Sequence, residues 1–198
     1  MKNFLYNNFP ELIFYKTPIY DFLISKNLSF DIDNIQATPW EGDTENGRNI
    51  INGFINFYGE TIKYNNSVWE TNSATASWRS ELHSFDWIND LRALGTNKAR
   101  VFLRSALKDW IKNYGKWSSL EWKSVTTSKR ICSILGNFDF FCSSADDLFQ
   151  KNVLKSLCKQ GNHLIKNKLM HVSGYERIFV IKALIVISTT FSLHRKFF

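Results

Sequence analysis

The chain has 198 residues, the length of one ordinary domain. Apolar residues make up 44% of it and charged residues 22%, which excludes disordered, collagen-like and low-complexity proteins. The formal net charge is +7, and the basic excess lies in the second half: residues 1–95 hold seven basic and twelve acidic side chains, and residues 96–198 hold eighteen and six. A basic half can attract nucleic acid, anionic lipid or an acidic polysaccharide, and a codon bias toward lysine can also produce it, so the charge alone identifies no partner.

The first elements in chain order form a mixed segment over residues 1–72. Residues 11–26 fit an amphipathic helix that Pro18 would interrupt, and the alternating runs 54–58 and 60–64 predict a short β-hairpin. From residue 73 the apolar spacing becomes helical and predicts helices over 76–94, 97–114, 123–141, 145–169 and 175–193. The sequence therefore predicts a mainly α chain, with an N-terminal arm (1–72) and an array of antiparallel helical hairpins (73–198) that together form one structural unit.

The cysteines and the two ends of the chain favour a reduced, cytoplasmic protein. Cys132, Cys142 and Cys158 are an odd number without a close pair, so they predict neither a disulfide framework nor a zinc site. Residues 1–14 lack the continuous apolar stretch of a signal peptide. The longest apolar run, 178–193, contains Lys182 and is shorter than the roughly 20 residues that a spanning helix needs, so no membrane span is predicted.

The motifs of common catalytic sites are absent, and two kinds of polar pattern remain. No phosphate-binding loop, nucleophile elbow, zinc-hydrolase motif or dinucleotide fingerprint is present. One polar stripe lies within the predicted helix 76–94, and it indicates either a polar cleft or a solvated face with local ion pairs: Arg79, His83, Asp86 and Asp90. Two basic stripes indicate either solvated surface or the steering of a polyanion: Arg100, Arg104, Lys108 and Lys112, then Lys151, Lys155 and Lys159.

An ordered set of short motifs between residues 39 and 165 resembles the N-terminal part of the heparinase II/III-like polysaccharide lyases. The matching stretches are Trp40-x-Gly-Asp43 with Gly47, Gly53 and Gly59-Glu60; Trp78-x-x-Glu-Leu-His-x-Phe-Asp-Trp87 with Asp90-Leu-Arg-Ala93; Asp109-Trp-Ile111 with Gly115 and Trp117; Trp122 with Arg130; and Gly161-Asn-His-Leu164. The resemblance implies an incomplete α/α toroid of antiparallel helical hairpins that binds an acidic, uronate-containing polysaccharide of the glycosaminoglycan kind for β-elimination.

The resemblance also implies a set of site residues. An amide can offset charge on the substrate carboxylate without titrating, and Asn162 matches the position where the family places such a group, with His163 beside it as a second catalytic residue. His83, Arg92, Trp122 and Arg130 match positions that would bind the substrate. The resemblance implies neither a metal nor a cofactor.

The chain departs from the family pattern after residue 165. It lacks the downstream stretch that carries the catalytic Tyr and the following β-sandwich domain, so the resemblance implies a truncated lyase or one part of a split protein, incomplete as an enzyme. It also makes a periplasmic location the alternative to a cytoplasmic one. No nucleic-acid fold signature is present, so nucleic acid is not the expected partner. A basic helical nucleic-acid-binding module and an inactive remnant are the alternative functions.

Overall fold

The structure, a computed structural model, describes residues 13–26, 35–71, 73–167, 172 and 174–191. It confirms a mainly helical chain with one small antiparallel sheet. The described elements follow in chain order: α1 (Pro18–Ile24), α2 (Thr44–Ile51), β1 (Phe54–Phe57), β2 (Glu60–Lys63), α3 (Ala76–Leu82), α4 (Ile88–Leu94), α5 (Asn97–Tyr114), α6 (Ser124–Gly136), α7 (Phe138–Phe141), α8 (Asp147–Asn167) and α9 (Glu176–Thr190).

Local capping residues determine where the first two helices begin. Pro18 is the first residue of α1, a position that tolerates proline, and the Thr17 hydroxyl accepts a hydrogen bond from the backbone N–H of Tyr20 at 3.2 Å. The interruption expected near Pro18 therefore falls just before it. No helix was expected at α2. It begins after Asp43, whose carboxylate accepts hydrogen bonds from the backbone N–H groups of the first turn.

The predicted β-hairpin is confirmed. β1 and β2 pair antiparallel, with Phe54 opposite Lys63 and Phe57 opposite Glu60. The turn residues Tyr58 and Gly59 both have positive φ, at 56° and 78°, as the two central residues of a type I′ hairpin turn require.

The helix predicted over residues 76–94 is wrong, because two helices, α3 and α4, occupy that stretch. The chain turns between them at Phe85, whose φ of 61° lies in the left-handed region. Phe85 and Trp87 are both buried. The Leu82 carbonyl at the end of α3 accepts two hydrogen bonds, from the Phe85 backbone N–H at 3.3 Å and from the Trp87 indole N–H at 2.9 Å. Backbone hydrogen bonds of turn type, such as Ile88 N–H to the Phe85 carbonyl at 3.0 Å, together with the burial of the two aromatic rings, hold the chain in this turn.

The later helices follow the prediction closely. α5 has the predicted bounds, with the Thr96 hydroxyl accepting from the Ala99 N–H at 3.2 Å. α6 and α7 divide the stretch predicted as one helix over 123–141, with the break at Asn137. α8 and α9 lie within the predicted ranges 145–169 and 175–193, whose last residues fall outside the described part of the chain.

One large apolar core joins the hairpin segment to the helices. Ile50 and Ile55 belong to the same buried cluster as Trp78, Leu103 and Ile187. α9 packs on α6 and α8. The division at residues 72 and 73 stays a prediction, and so does a toroidal arrangement of the helical hairpins.

Candidate functional site

Arg130 of α6 lies fully buried at the centre of the helices. Its guanidinium donates to four acceptors: the Gln160 side-chain oxygen at 2.7 Å, the backbone carbonyls of His83 and Glu121 at 2.8 and 2.9 Å, and the Thr127 hydroxyl at 3.2 Å. It also lies over the Trp110 ring, 4.2 Å from the ring centroid. Burial lowers the pKa of Arg130 to about 9, so the group stays charged at neutral pH.

His83 lies beside this cation and takes part in the same network. Its Nδ1 accepts a hydrogen bond from the Trp110 indole N–H at 3.0 Å, so the ring proton is on Nε2, which lies 3.7 Å from a Glu121 carboxylate oxygen. The ring stacks on Trp69, with centroids 5.1 Å apart. Burial, with a smaller contribution from the neighbouring Arg130, lowers the pKa of His83 to about 3, so the imidazole is neutral at pH 7.

His163 of α8 joins α1 to the start of α6. Its Nε2 lies 3.0 Å from the Trp122 carbonyl, which can only accept, so Nε2 carries the proton and Nδ1 accepts from the Tyr20 hydroxyl at 2.6 Å. The ring is fully buried, and burial lowers the pKa of His163 to about 4.

The other three predicted site residues hold segments of the fold in place. The Asn162 amide donates to the Ile24 and Lys26 carbonyls at 2.8 and 3.1 Å, which satisfies the C-terminal end of α1. The Trp122 indole is 2% exposed and donates to the Tyr114 carbonyl at 2.8 Å. Arg92 donates to the backbone carbonyls of Thr38 and Trp40 and so fixes the extended segment before α2.

The structure thus divides the six predicted residues among two adjoining buried clusters and one more distant position, the charge of Arg130 in the first cluster acting on His163 in the second. His83 and Arg130 share one buried network, Trp122, Asn162 and His163 lie together under α1, and Arg92 is half-buried near residue 38. Every hydrogen bond described above joins them to the protein's own groups. Contact of these residues with a ligand stays a prediction. The predicted stripe of Arg79, His83, Asp86 and Asp90 on one helix is wrong, because the turn at Phe85 separates its members.

A groove of about 480 Å³ lies between the extended segment before α2, the α3–α4 turn, α6 and α9. Trp40, which is 64% exposed, is at its edge, and Phe179 and Lys182 of α9 line the other side. Lys129 in the groove is ion-paired with Glu81 at 3.1 Å and Asp86 at 3.6 Å, so most of its charge is compensated. Among the described residues, no three His, Cys, Asp or Glu side chains are grouped closely enough to hold a metal ion.

The basic stripes divide into paired and unpaired members. Arg100 and Arg104 donate to the Phe140 and Phe141 carbonyls at 3.0 and 2.7 Å and so cap α7. Lys159 is ion-paired with Asp21 at 2.6 Å. Four lysines stay exposed on the outward faces of α5 and α8, and they are called the lysine surface below: Lys108, Lys112, Lys151 and Lys155.

No known family profile matches the chain, and no solved structure matches it. Among curated proteins, the chain is similar to FtsZ-localized protein C of Caulobacter vibrioides, with 27% identity over 130 residues. The match covers 65% of this chain and 22% of that protein, so the chain spans a small part of the relative's length. Within the part of the chain that is described, no helix is both long enough and apolar enough to cross a membrane.

These comparisons overturn the resemblance to the heparinase II/III-like lyases. That membership is wrong, since no family profile matches and the curated relative is an FtsZ-localized protein. The predicted binding of an acidic polysaccharide for β-elimination falls with it, and neither a nucleic-acid-binding module nor an inactive remnant gains support. Some motif residues serve packing instead: a Cβ at Gly42 or Gly47 would collide with the backbone of α4. Such glycines specify a close contact between helices and carry no information about a reaction.

Proposed function

We propose that this chain is a helical binding module of a bacterial cell-division assembly and that it localises with FtsZ. The observation that carries the proposal is the 27% identity with FtsZ-localized protein C over 130 residues. That stretch is far longer than α8, the longest described helix, which has 21 residues, so the similarity extends over several packed elements.

The internal hydrogen bonds support a binding role on a rigid framework. Arg130 ties α6 to α8 and to the α3–α4 turn, and His163 and Asn162 tie α8 to α1. Helices that are fixed in this way present their outward side chains with little further loss of conformational entropy on binding. We place the module in the cytoplasm, where free cysteines such as Cys132 and Cys142 stay reduced.

A fluorescent fusion in the organism that encodes the chain tests the proposal. The fusion should form a band that coincides with FtsZ at the division site, and the band should disperse when FtsZ is depleted. The fluorescent protein alone, expressed at the same level, is the control. An intact fusion that stays diffuse while FtsZ forms its band would contradict the proposal.

A further inference from the structure

The lysine surface extends across two neighbouring helices that run in the same direction. The Lys108 ammonium of α5 lies 5.5 Å from the centroid of the Phe149 ring of α8, and seven residues later on α5 the Gly115 carbonyl accepts from Lys159 of α8 at 2.6 Å. Along α5, Lys112 lies between Lys108 and Gly115, and along α8, Lys155 lies between Phe149 and Lys159. The exposed lysines of the two helices therefore form one continuous patch.

The four lysines of this patch outnumber the acids beside them, which are Asp109, three residues before Lys112, and Asp147, four residues before Lys151. Lys159 and Lys129 are ion-paired with carboxylates, whereas none of the described carboxylates lies within ion-pair distance of the four lysines of the surface. Lys108 and Lys112 are four residues apart on one helix, as are Lys151 and Lys155. Like charges at this spacing disfavour a helix, and negative charge from a partner would offset that repulsion.

Large apolar side chains lie at one end of the same patch. Val101 of α5 is 55% exposed and Leu148 of α8 is 69% exposed, and each precedes the lysines of its own helix. Because Phe149 lies beside Lys108, Leu148 is level with the first lysine of α5 and precedes both lysines of α8, and Val101 lies about two helical turns before Lys108. An apolar contact combined with a row of positive charges suits an acidic protein segment that carries a hydrophobic residue.

We infer that the lysine surface, with Val101 and Leu148, docks an acidic segment displayed by FtsZ polymers, an inference that rests on the proposed function. The chemistry is charge complementarity across an exposed interface, which steers association and weakens as salt rises. The groove lined by Trp40 and Phe179 is a poorer candidate for an acidic partner, because Glu81 and Asp86 already compensate its Lys129.

Two charge-matched double variants test the inference. Lys112→Glu/Lys155→Glu reverses two charges on the lysine surface, and Lys63→Glu/Lys182→Glu reverses two exposed lysines on β2 and α9. Both lower the net charge by the same amount. The measurement is co-sedimentation of the purified full chain with FtsZ polymers at low and high salt, after circular dichroism has confirmed that each variant is folded. We expect about tenfold weaker binding at low salt for the first variant and less than a twofold change for the second.

The possible outcomes separate this inference from the proposed function. If the wild-type chain sediments with FtsZ and the first variant sediments equally well, the surface assignment is wrong and the proposed function stands. Equal losses in both variants would also overturn it, since net charge and not this surface would then be responsible. If the wild-type fusion fails to localise in cells and the wild-type chain fails to sediment, the proposed function fails and the docking surface with it. A first variant that loses binding only to anionic vesicles or to DNA, and keeps its binding to FtsZ, would assign the surface to that other partner and overturn the inference.

Discussion

At the scale of single residues, the buried charge of Arg130 is stabilised by neutral groups as well as by one acid. Two backbone carbonyls, an amide oxygen, a hydroxyl and the Trp110 ring surround the guanidinium, and Glu121 supplies the nearby negative charge. Removing one partner of such a buried network typically costs about 3–5 kcal/mol, because an uncompensated polar or charged group stays behind. The motif positions Arg130 and His83 therefore have a structural role that requires no ligand.

The two buried histidines make the stability of the protein depend on pH. The folded-state pKa values of about 3 for His83 and about 4 for His163 lie below the ordinary value of 6.5, so between these limits the unfolded chain binds protons that the folded chain does not. The free energy of unfolding should therefore fall as the pH drops below about 6.5, by about 1.4 kcal/mol per pH unit for each histidine.

We expect His163→Gln to remove one of these two contributions. Glutamine keeps one donor for the Trp122 carbonyl and one acceptor for the Tyr20 hydroxyl, but it does not titrate. In urea unfolding at pH 7.5, 6.0 and 5.0, the variant should lose about 1.2 kcal/mol less stability than the wild type between pH 6.0 and 5.0, and less of a difference should appear between pH 7.5 and 6.0. All other titrating groups are common to both proteins, so the same slope in both would show that His163 is protonated alike in the folded and unfolded states.

At the scale of elements, close contacts between neighbouring helices explain the positions of several glycines, which the apolar pattern of the sequence does not explain. The segment before α2 lies against α4 at Gly42, α2 itself does so at Gly47, and α8 approaches α9 at Gly161. A Cβ at Gly161 would lie 2.6 Å from the Cδ1 atom of Ile187. The glycine in the middle of α8 is therefore explained by its neighbour, although glycine costs a helix about 1 kcal/mol relative to alanine.

We expect Gly161→Ala to lower the free energy of unfolding by about 1–3 kcal/mol despite the better helix propensity of alanine, because the added methyl group overpacks the contact with α9. Ile187→Val removes the Cδ1 atom that would be struck, so the double variant should be more stable than the sum of the two single changes predicts. A double-mutant cycle from denaturant unfolding measures this coupling. An additive result would mean that the two helices do not meet at this contact.

At the scale of the whole molecule, the hairpin segment and the later helices share one core. Ile55 of β1 is 2% exposed and belongs to the same apolar cluster as Trp78 of α3 and Leu103 of α5. A shared core of this kind makes the unfolding of the two parts cooperative.

We therefore expect Ile55→Ala to lower the free energy of unfolding by about 2–5 kcal/mol and to move the helical circular dichroism transition and the tryptophan fluorescence transition together. Thr61→Ser, a change at an exposed position of β2 that keeps the hydroxyl accepting from the Asn56 amide, is the control and should have an effect within about 0.5 kcal/mol. A helical transition that keeps the wild-type midpoint in the Ile55 variant would show that residues 1–72 fold independently of the rest.

The chain's own sequence determined the local features of this protein. The capping residues Thr96 and Gly115 and the apolar spacing between them predicted α5 with its observed bounds, and alternation predicted the hairpin, because both signals depend on residues that are near each other in the chain. The sequence also singled out His83, Arg130 and His163, but residue type alone does not distinguish a ligand-binding group from one that is satisfied internally.

Only the tertiary structure decided that distinction. Gln160, a partner of Arg130, lies 30 residues from it in the chain. Trp122 and Tyr20, the partners of His163, lie even farther from it along the chain. Burial and hydrogen bonding between such distant residues are set by how helices pack, which no local pattern specifies. The same reason explains the break at Phe85, where contacts of buried aromatic rings outweigh a helical period, and the lysine surface, where two separate stripes become one patch because α5 and α8 lie side by side.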